Sequence, residues 1–212
     1  MKTENSHLQD ITEIRNMMEQ SSRFLSLSGL AGVFIGLISI TAALIAYFYL
    51  GYDIHYFDPQ TYYSEELYLK TFSSHLNLIL LGLITILLTI TISILFSFLK
   101  AKKKGFPLWN SAARRMVINL FIPLVSGGIF CFAILYHNLV FLIAPATLIF
   151  YGLALINASK FTLKETKYLG MTEVILGIFS TILIGYGLLF WVIGFGLCHI
   201  IYGIWMYGKY ER

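Results

Sequence analysis

Charge is scarce in this chain. Asp, Glu, Lys and Arg make up 12% of the 212 residues, whereas hydrophobic residues make up 58%. Soluble domains carry about 25% charged residues, so this shortage excludes a soluble fold of ordinary composition. Cysteine is scarce as well. Cys131 and Cys198 both fall inside apolar runs and without metal-type spacing, so we interpret them as apolar packing residues.

Most of the hydrophobic residues lie in long runs. Six runs cover residues 24–50, 72–99, 116–135, 139–156, 169–187 and 189–207. A helix needs about 20 apolar residues to cross the hydrocarbon layer of a bilayer. The sequence therefore predicts an all-α, polytopic transmembrane helix bundle of six spans. Four or five spans with one re-entrant segment is the competing count. The last two runs are barely separated, so Gly185, Tyr186 and Gly187 are expected to make the turn between them.

The basic residues predict the orientation of these spans. Of the 15 Lys and Arg residues, all but Lys70 lie in the two tails or in the loops after the second and fourth runs. Short loops rich in Lys and Arg stay in the cytoplasm. We therefore expect both termini to be cytoplasmic. The positive charge is then a topology signal and a contact for anionic lipid, and does not indicate nucleic-acid binding.

Two polar segments flank or interrupt the predicted membrane domain of residues 24–212. Residues 1–23 place apolar side chains at three- and four-residue spacing, which predicts a cytoplasmic amphipathic helix. We expect this helix either to rest on the inner leaflet or to dock a protein partner or a second copy. Residues 51–71 are expected to form a tyrosine-rich outer loop, either packed at the headgroup level or acting as a ligand-binding lid.

Glu173 is the only acidic residue well inside a hydrophobic run. A charge at membrane depth is costly, so this carboxylate needs a partner or a proton. We therefore predict that it faces the interior of the bundle and meets a basic or amide group from another span. Shared depth favours Arg115 or Arg114 as its partner, with Arg23 next. The pair would be either a structural lock of the cytoplasmic ends or a proton- or cation-coupled site.

His199 is the second ionisable candidate, near the middle of the last run. A turn near residue 188 sets it level with residue 178, about 7.5 Å along the axis from Glu173 at 1.5 Å per residue. That separation is too long for a direct hydrogen bond, although water could bridge it. The favoured expectation is a buried neutral histidine that is bonded to a neighbouring hydroxyl or carbonyl.

The third run contains a proline, Pro123, four residues after Asn119. A proline inside a helix removes the hydrogen bond to the carbonyl four residues earlier and kinks the helix. The carbonyl of Asn119 is therefore predicted to be free. The kink serves either structure or a transport site.

Small residues recur every four positions in the first two runs. Ser28, Gly32 and Gly36 form one stripe, and Thr89 and Ser93 belong to another. Such stripes let two helix backbones approach closely. The stripes lie at matching depth, so we predict that the first and second spans pack through them. The alternative to packing is that the hydroxyl groups of these stripes line a path for ions.

Residues 21–29 (SSRFLSLSG) and 151–157 (YGLALIN) resemble stretches of a family of bacterial six-span inner-membrane proteins with no known activity. The resemblance implies a bacterial inner-membrane location and no site residues. We find no catalytic signature and no cofactor motif in the chain. The leading expectation is a non-enzymatic scaffold or a sensing and regulatory partner of another protein. The alternative is a small transporter or channel-like protein that uses Glu173 and His199.

Overall fold

The computed structural model describes residues 24–50, 65–105, 109–137 and 139–211. The predicted N-terminal amphipathic helix, residues 1–23, lies outside the described residues. So does most of the predicted tyrosine-rich loop, residues 51–64.

Helices account for nearly all of the described residues, and no strand occurs among them. They are α1 (Gly29–Leu50), α2 (Glu65–Lys104), α3 (Ser111–Tyr136), α4 (Ile143–Ala158), α5 (Glu165–Ile182) and α6 (Gly187–Tyr210). Short 3₁₀ turns precede and follow α4 at Val140–Leu142 and Ser159–Phe161. The middle of α6, Val192–Cys198, is π-helical. The all-helical prediction is thus confirmed for this part of the chain.

Five segments are long and apolar enough to cross a membrane: Gly29–Phe48, Leu76–Lys104, Ser111–Tyr136, Val140–Phe161 and Gly187–Tyr210. Their outer surfaces are apolar, as the exposed side chains of Leu83, Ile84 and Leu87 on α2 illustrate. Exposed apolar surface of this extent is typical of helices that contact lipid. The helix α5 is not in this set, because its 18 residues include three charged side chains.

A tight turn at residues 183–186 joins α5 to α6. The N–H of Leu183 donates to the carbonyl of Phe179 and closes α5. Gly185 has a φ of 101°, a conformation that glycine adopts without steric cost. The predicted turn at residues 185–187 is therefore nearly correct, except that Gly187 already begins α6. The two helices run antiparallel as a result.

The glycine stripe of α1 faces α6. A Cβ atom at Gly32 would lie 3.0 Å from Gly203 Cα, and one at Gly36 would lie 2.5 Å from the carbonyl oxygen of Gly196. The predicted partner of this stripe, the second span, is therefore wrong. Spacing along one helix identifies a face for close approach, but not which helix occupies it. Here α6 supplies glycines of its own, so the two backbones can touch.

The hydroxyl stripe of α2 is satisfied within its own helix. Thr85, Thr89 and Ser93 each donate to the carbonyl four residues earlier, at 2.7, 2.9 and 2.7 Å. The main neighbour of α2 is α1, where the rings of Phe34 and Phe96 stack with centroids 5.2 Å apart. The helices α1 and α2 thus do contact each other, but without a matched pair of small-residue stripes. Because these hydroxyl groups already donate to carbonyls of their own helix, their presence does not require the alternative of a hydroxyl-lined ion path.

Among α3, α4 and α5, the closest contact is between α4 and α5. A Cβ at Gly152 would lie 2.6 Å from the Gly170 carbonyl oxygen, and one at Gly170 would lie 2.7 Å from that of Gly152. The two backbones therefore touch where the helices cross. Tyr151 adjoins this crossing on α4, and Glu173 lies one turn beyond it on α5. The bundle packs α3 outside α4 and α6 against α1.

Candidate functional site

Glu173 lies in the interior of the bundle. Its side chain is fully buried, at 0% exposure, and Oε1 is 3.4 Å from Nδ1 of His199. Neither carboxylate oxygen accepts a hydrogen bond from any described residue. An unbonded charge in an apolar interior is strongly unfavourable. The carboxyl group is therefore either protonated or balanced by a charged imidazole.

His199 links Glu173 to the neighbouring helix. Its Nδ1 lies 3.1 Å from the carbonyl oxygen of Gly194, and its Nε2 lies 2.8 Å from the hydroxyl oxygen of Tyr151. A carbonyl oxygen only accepts, so Nδ1 carries a proton. Nε2 accepts from Tyr151 when the ring is neutral and donates when the ring is charged. The imidazole can thus hold either charge state without breaking these two contacts.

Gly194 makes room for the carboxylate. A Cβ atom at this position would lie 2.4 Å from Glu173 Oε2 and 2.6 Å from Leu148 Cδ2. Gly194 belongs to the π-helical segment, and the imidazole of His199 reaches its carbonyl from five residues further along. Such π-helical turns are rare in proteins overall, and those that occur are often found at functional sites.

Apolar and aromatic side chains close the site. Leu148 is completely buried, and Phe195 packs on Tyr151 with ring centroids 5.0 Å apart. His199 itself is 2% exposed. Cys198 lies within electrostatic reach of Glu173. No group of three His, Cys, Asp or Glu side chains lies together as a metal site would need, within the part of the chain described.

The predicted partners of Glu173 lie elsewhere. Arg115 and Arg114 are exposed on α3, which packs outside α4, so the prediction that either one pairs with Glu173 is wrong. Arg23 lies outside the described residues. Membrane depth sets the level of a side chain, but the order of the helices around the bundle sets its neighbours.

The predicted separation of His199 from Glu173 is also wrong. The chain turns at residues 183–186, earlier than the position near 188 from which the levels were counted. Counted from this turn, His199 is level with Gly170, which is three residues or about 4.5 Å along the axis from Glu173 and within reach of the two side chains. The π-helical segment changes the register of α6 further, and spacing rules for an α-helix do not anticipate it.

Asn119 is not part of this site. Its side-chain Nδ2 donates to the Arg115 carbonyl on its own helix at 2.8 Å. The carbonyl of Asn119 accepts from Asn157 Nδ2 on α4, also at 2.8 Å. This is the carbonyl that Pro123 is predicted to free, so the local prediction agrees with the structure. The role of the proline here is to create an acceptor for a contact between helices.

A second polar cluster lies where α5 begins and α6 ends. Glu165 Oε1 accepts from Lys209 Nζ and from the Tyr210 hydroxyl, the latter at 2.9 Å. The next residue, Thr166, has its hydroxyl 3.0 Å from that of Tyr202. These contacts tie the first turn of α5 to the last turns of α6. This cluster was not predicted, because Glu165 lies in the polar loop between the fourth and fifth apolar runs.

Glu211, which directly follows α6, closes the start of α1. Its carboxylate accepts from the Gly29 N–H at 2.6 Å and from the Ser28 hydroxyl at 3.1 Å. Lys100 Nζ, at the end of α2, lies 3.1 Å from the same carboxylate and also donates to the carbonyl of Leu27. An acidic group at a helix N-terminus accepts hydrogen bonds from the free N–H groups there. Its negative charge also interacts favourably with the positive end of the helix dipole. Ser28 is therefore a capping contact here and not part of a packing stripe.

Tyr151 and Gly194 complete the main site, and neither was predicted as a site residue from the sequence. Tyr151 is the only tyrosine within the fourth run, and a hydroxyl at that depth needs a partner. That signal was available. Nothing in the spacing of Gly194 distinguishes it from the packing glycines around it.

The fold and the site together define a class: an all-helical bundle whose long apolar helices are compatible with membrane insertion, enclosing a closed polar site. Comparison with protein-family models, with curated proteins and with solved structures finds no match to this chain. The resemblance to bacterial inner-membrane proteins therefore stays a prediction.

Proposed function

We propose that the chain is a six-span protein of the bacterial inner membrane with both termini in the cytoplasm. The helix α5 is the remaining span. Its 18 residues reach about 27 Å at 1.5 Å per residue, close to the thickness of the hydrocarbon layer. Its interior charge, Glu173, is fully shielded from the bundle exterior. The tight turn to α6 supports an antiparallel pair of spans.

Cysteine labelling tests this topology. In a background with Cys131 and Cys198 replaced by alanine, a membrane-impermeant maleimide should label Gln60→Cys in intact cells. It should label Lys103→Cys only after the cells are opened. The reverse pattern would overturn the orientation, and labelling of both sites from outside would overturn the span count.

Within the membrane, the chain acts as a non-enzymatic sensing or regulatory partner of another protein, and the Glu173–His199 pair is its responsive element. One observation carries this proposal: a fully buried carboxylate accepts no hydrogen bond from the residues that the structure describes, and it faces an imidazole at 3.4 Å. Well-packed apolar residues stabilise a bundle at least as well as a buried ion pair does. A simple scaffold therefore gains nothing from this pair, whereas a sensor gains a group whose charge can change.

Comparative capture from native membranes tests the regulatory role. The tagged full chain is purified with its lipids retained, alongside Glu173→Gln and the control Ser126→Ala. The Ser126 hydroxyl is exposed and bonds only within its own helix, so its loss leaves the site intact. A partner whose yield changes severalfold in Glu173→Gln and not in the control supports the proposal. Identical captures from all three proteins would contradict it.

A second candidate is a small transporter or channel-like protein that uses Glu173 and His199. The π-helical segment Val192–Cys198 favours it, because irregular helix beside a buried charge is a feature of transport sites. A polar cavity reaching the midplane is also expected of a transporter, whereas here apolar side chains close the site. Proton uptake into proteoliposomes that Glu173→Gln abolishes would favour this candidate over the sensor.

A further inference from the structure

Polar side chains lie on α5 and α6 between the Glu173 site and the Lys209 end of the bundle. Tyr202 follows His199 by three residues and so lies on the same side of α6, about 4.5 Å further along the axis. Its hydroxyl lies 3.0 Å from that of Thr166 on α5. Thr166 precedes Glu173 by two helical turns and shares its face. The two facing helices thus carry hydroxyl groups between the site and its end of the bundle.

Further polar side chains at the same end of the bundle reach the surface. Glu165 adjoins Thr166 in the chain, and it accepts hydrogen bonds from Lys209 and Tyr210. The side chain of Glu165 is 8% exposed, whereas that of Lys209 is 47% exposed. The polar groups on these two helices therefore range from an accessible ammonium group at Lys209 to the fully buried carboxylate of Glu173.

The two directions along α5 differ in how their hydroxyl groups are bonded. Towards the turn between α5 and α6, the next buried polar side chain on the Glu173 face is Ser180, which is as far from Glu173 as Thr166 is, about 10 Å along the axis. The Ser180 hydroxyl has no hydrogen-bond partner in this part of the chain. Thr166 is hydrogen-bonded to Tyr202 on the facing helix. Phe195 and Trp191 stack on each other at 5.0 Å on the α6 side. The site is thus asymmetric between the two ends of the bundle.

The charge balance of the pair favours one bound proton. With one proton shared between Glu173 and His199, the pair is neutral overall. Loss of that proton leaves a net negative charge in an apolar interior, and a second proton leaves a net positive charge. The other titratable groups that face Glu173 are Tyr151 from α4 and Cys198 from α6. At neutral pH both are uncharged in their usual forms, so neither offsets a net charge on the pair.

We infer that Glu173 and His199 together bind one exchangeable proton, and that it enters and leaves at the Lys209 end along Thr166 and Tyr202. The inference rests on the proposed role of the pair as the responsive element. Hydroxyl groups both donate and accept, so they can hand on a proton that a carbon side chain cannot. On release, the proton passes to water at the Lys209 end, and the pair keeps a carboxylate and a neutral imidazole.

Infrared spectroscopy of the full chain in lipid nanodiscs tests the binding step. The carbonyl stretch of a protonated carboxylic acid is separate from the bands of a carboxylate, and Glu173→Gln identifies the signal of Glu173. We expect this signal or the imidazolium signal of His199 to titrate with pH in the wild type. Signals from both residues that stay constant over the stable pH range would overturn the inference.

The rate of proton exchange after a rapid pH jump tests the route. Tyr202→Phe and Thr166→Val remove one hydroxyl each and keep the shape of the side chain. Their matched controls are Tyr207→Phe, on the same helix but exposed, and Thr172→Val, whose exposed hydroxyl bonds only within α5. We expect each route variant to slow exchange on the order of tenfold or more, a typical loss when a positioned proton-transfer group is removed. The controls should exchange at the wild-type rate.

Wild-type rates in both route variants would overturn the route. This outcome is distinguishable from failure of the proposed function. If Glu173→Gln changes partner capture while Tyr202→Phe exchanges protons normally, the sensing role stands and the route falls. If protons exchange through Tyr202 but no partner responds to Glu173→Gln, the route stands and the sensing role falls.

Discussion

Substitution of Gly203 by alanine tests the packing of α1 against α6 most directly. A Cβ atom at Gly203 would lie 2.5 Å from the backbone nitrogen of Val33 and 2.6 Å from the carbonyl oxygen of Gly29. Both neighbours are backbone atoms, so no side-chain rotation relieves the overlap. The helices themselves must separate.

The size of the effect follows from these distances. Ordinary van der Waals contact for such an atom begins at 3.4 Å, so the contact at Val33 must open by about 0.9 Å. Overpacking of a well-packed core costs about 1–3 kcal/mol. Alanine in place of glycine inside a helix returns about 1 kcal/mol through propensity. We therefore expect Gly203→Ala to lower the free energy of unfolding by about 0–2 kcal/mol.

Gly208→Ala is the matched control, because it lies on the same helix and nothing lies within 4 Å of its Cβ position. We expect it to leave stability unchanged or to raise it by up to about 1 kcal/mol. Reversible unfolding of the full chain in mixed detergent micelles measures both variants. The informative quantity is the difference between them, about 1–3 kcal/mol with Gly208→Ala the more stable. Equal stabilities would refute the close contact of α1 with α6.

Two further predictions concern polar contacts. Gly194→Ala should destabilise the chain by about 1–3 kcal/mol, since its methyl group overlaps the carboxylate of Glu173, and Glu173→Ala should relieve part of that cost. Additive effects in the double-mutant cycle would show that the two groups do not touch. Asn157→Leu should cost about 1 kcal/mol by leaving the freed carbonyl of Asn119 without its donor. In a Pro123→Ala background the helix regains a backbone donor, so the same substitution should cost less. An undiminished cost there would contradict this account of the proline.

The polar contacts outside the main site bring helices together that are distant in sequence. Glu211 joins the end of α6 to the start of α1 and to Lys100 on α2. Glu165 joins the start of α5 to Lys209 on α6. Both clusters lie at the same end of the bundle, where α1 and α5 begin and α6 ends. This end is therefore held by charged contacts, whereas the glycine crossings hold the helices along their length.

Features that depend on neighbouring residues along the chain were predictable. Long apolar runs predicted helices, because a helix satisfies its own backbone hydrogen bonds wherever it lies. The proline rule identified the free carbonyl of Asn119, and the glycine at position 185 identified the turn before α6. Burial of Glu173 was predictable too. A carboxylate within an apolar run would face lipid on the outside of the bundle, so only the interior can offer it a polar partner.

The identity of partners across the bundle was decided only by the tertiary structure. Gly32 was predicted to face the second span but faces α6, because a stripe of small residues fits any helix that can approach it. Glu173 was assigned to Arg115 and meets His199 instead, because depth in a membrane fixes one coordinate and the order of helices fixes the others. The π-helical segment then set the register that brings Gly194 and His199 to the carboxylate. The sequence by itself therefore determined which segments are helices and which groups need a partner. Packing among those helices determined which partners they have.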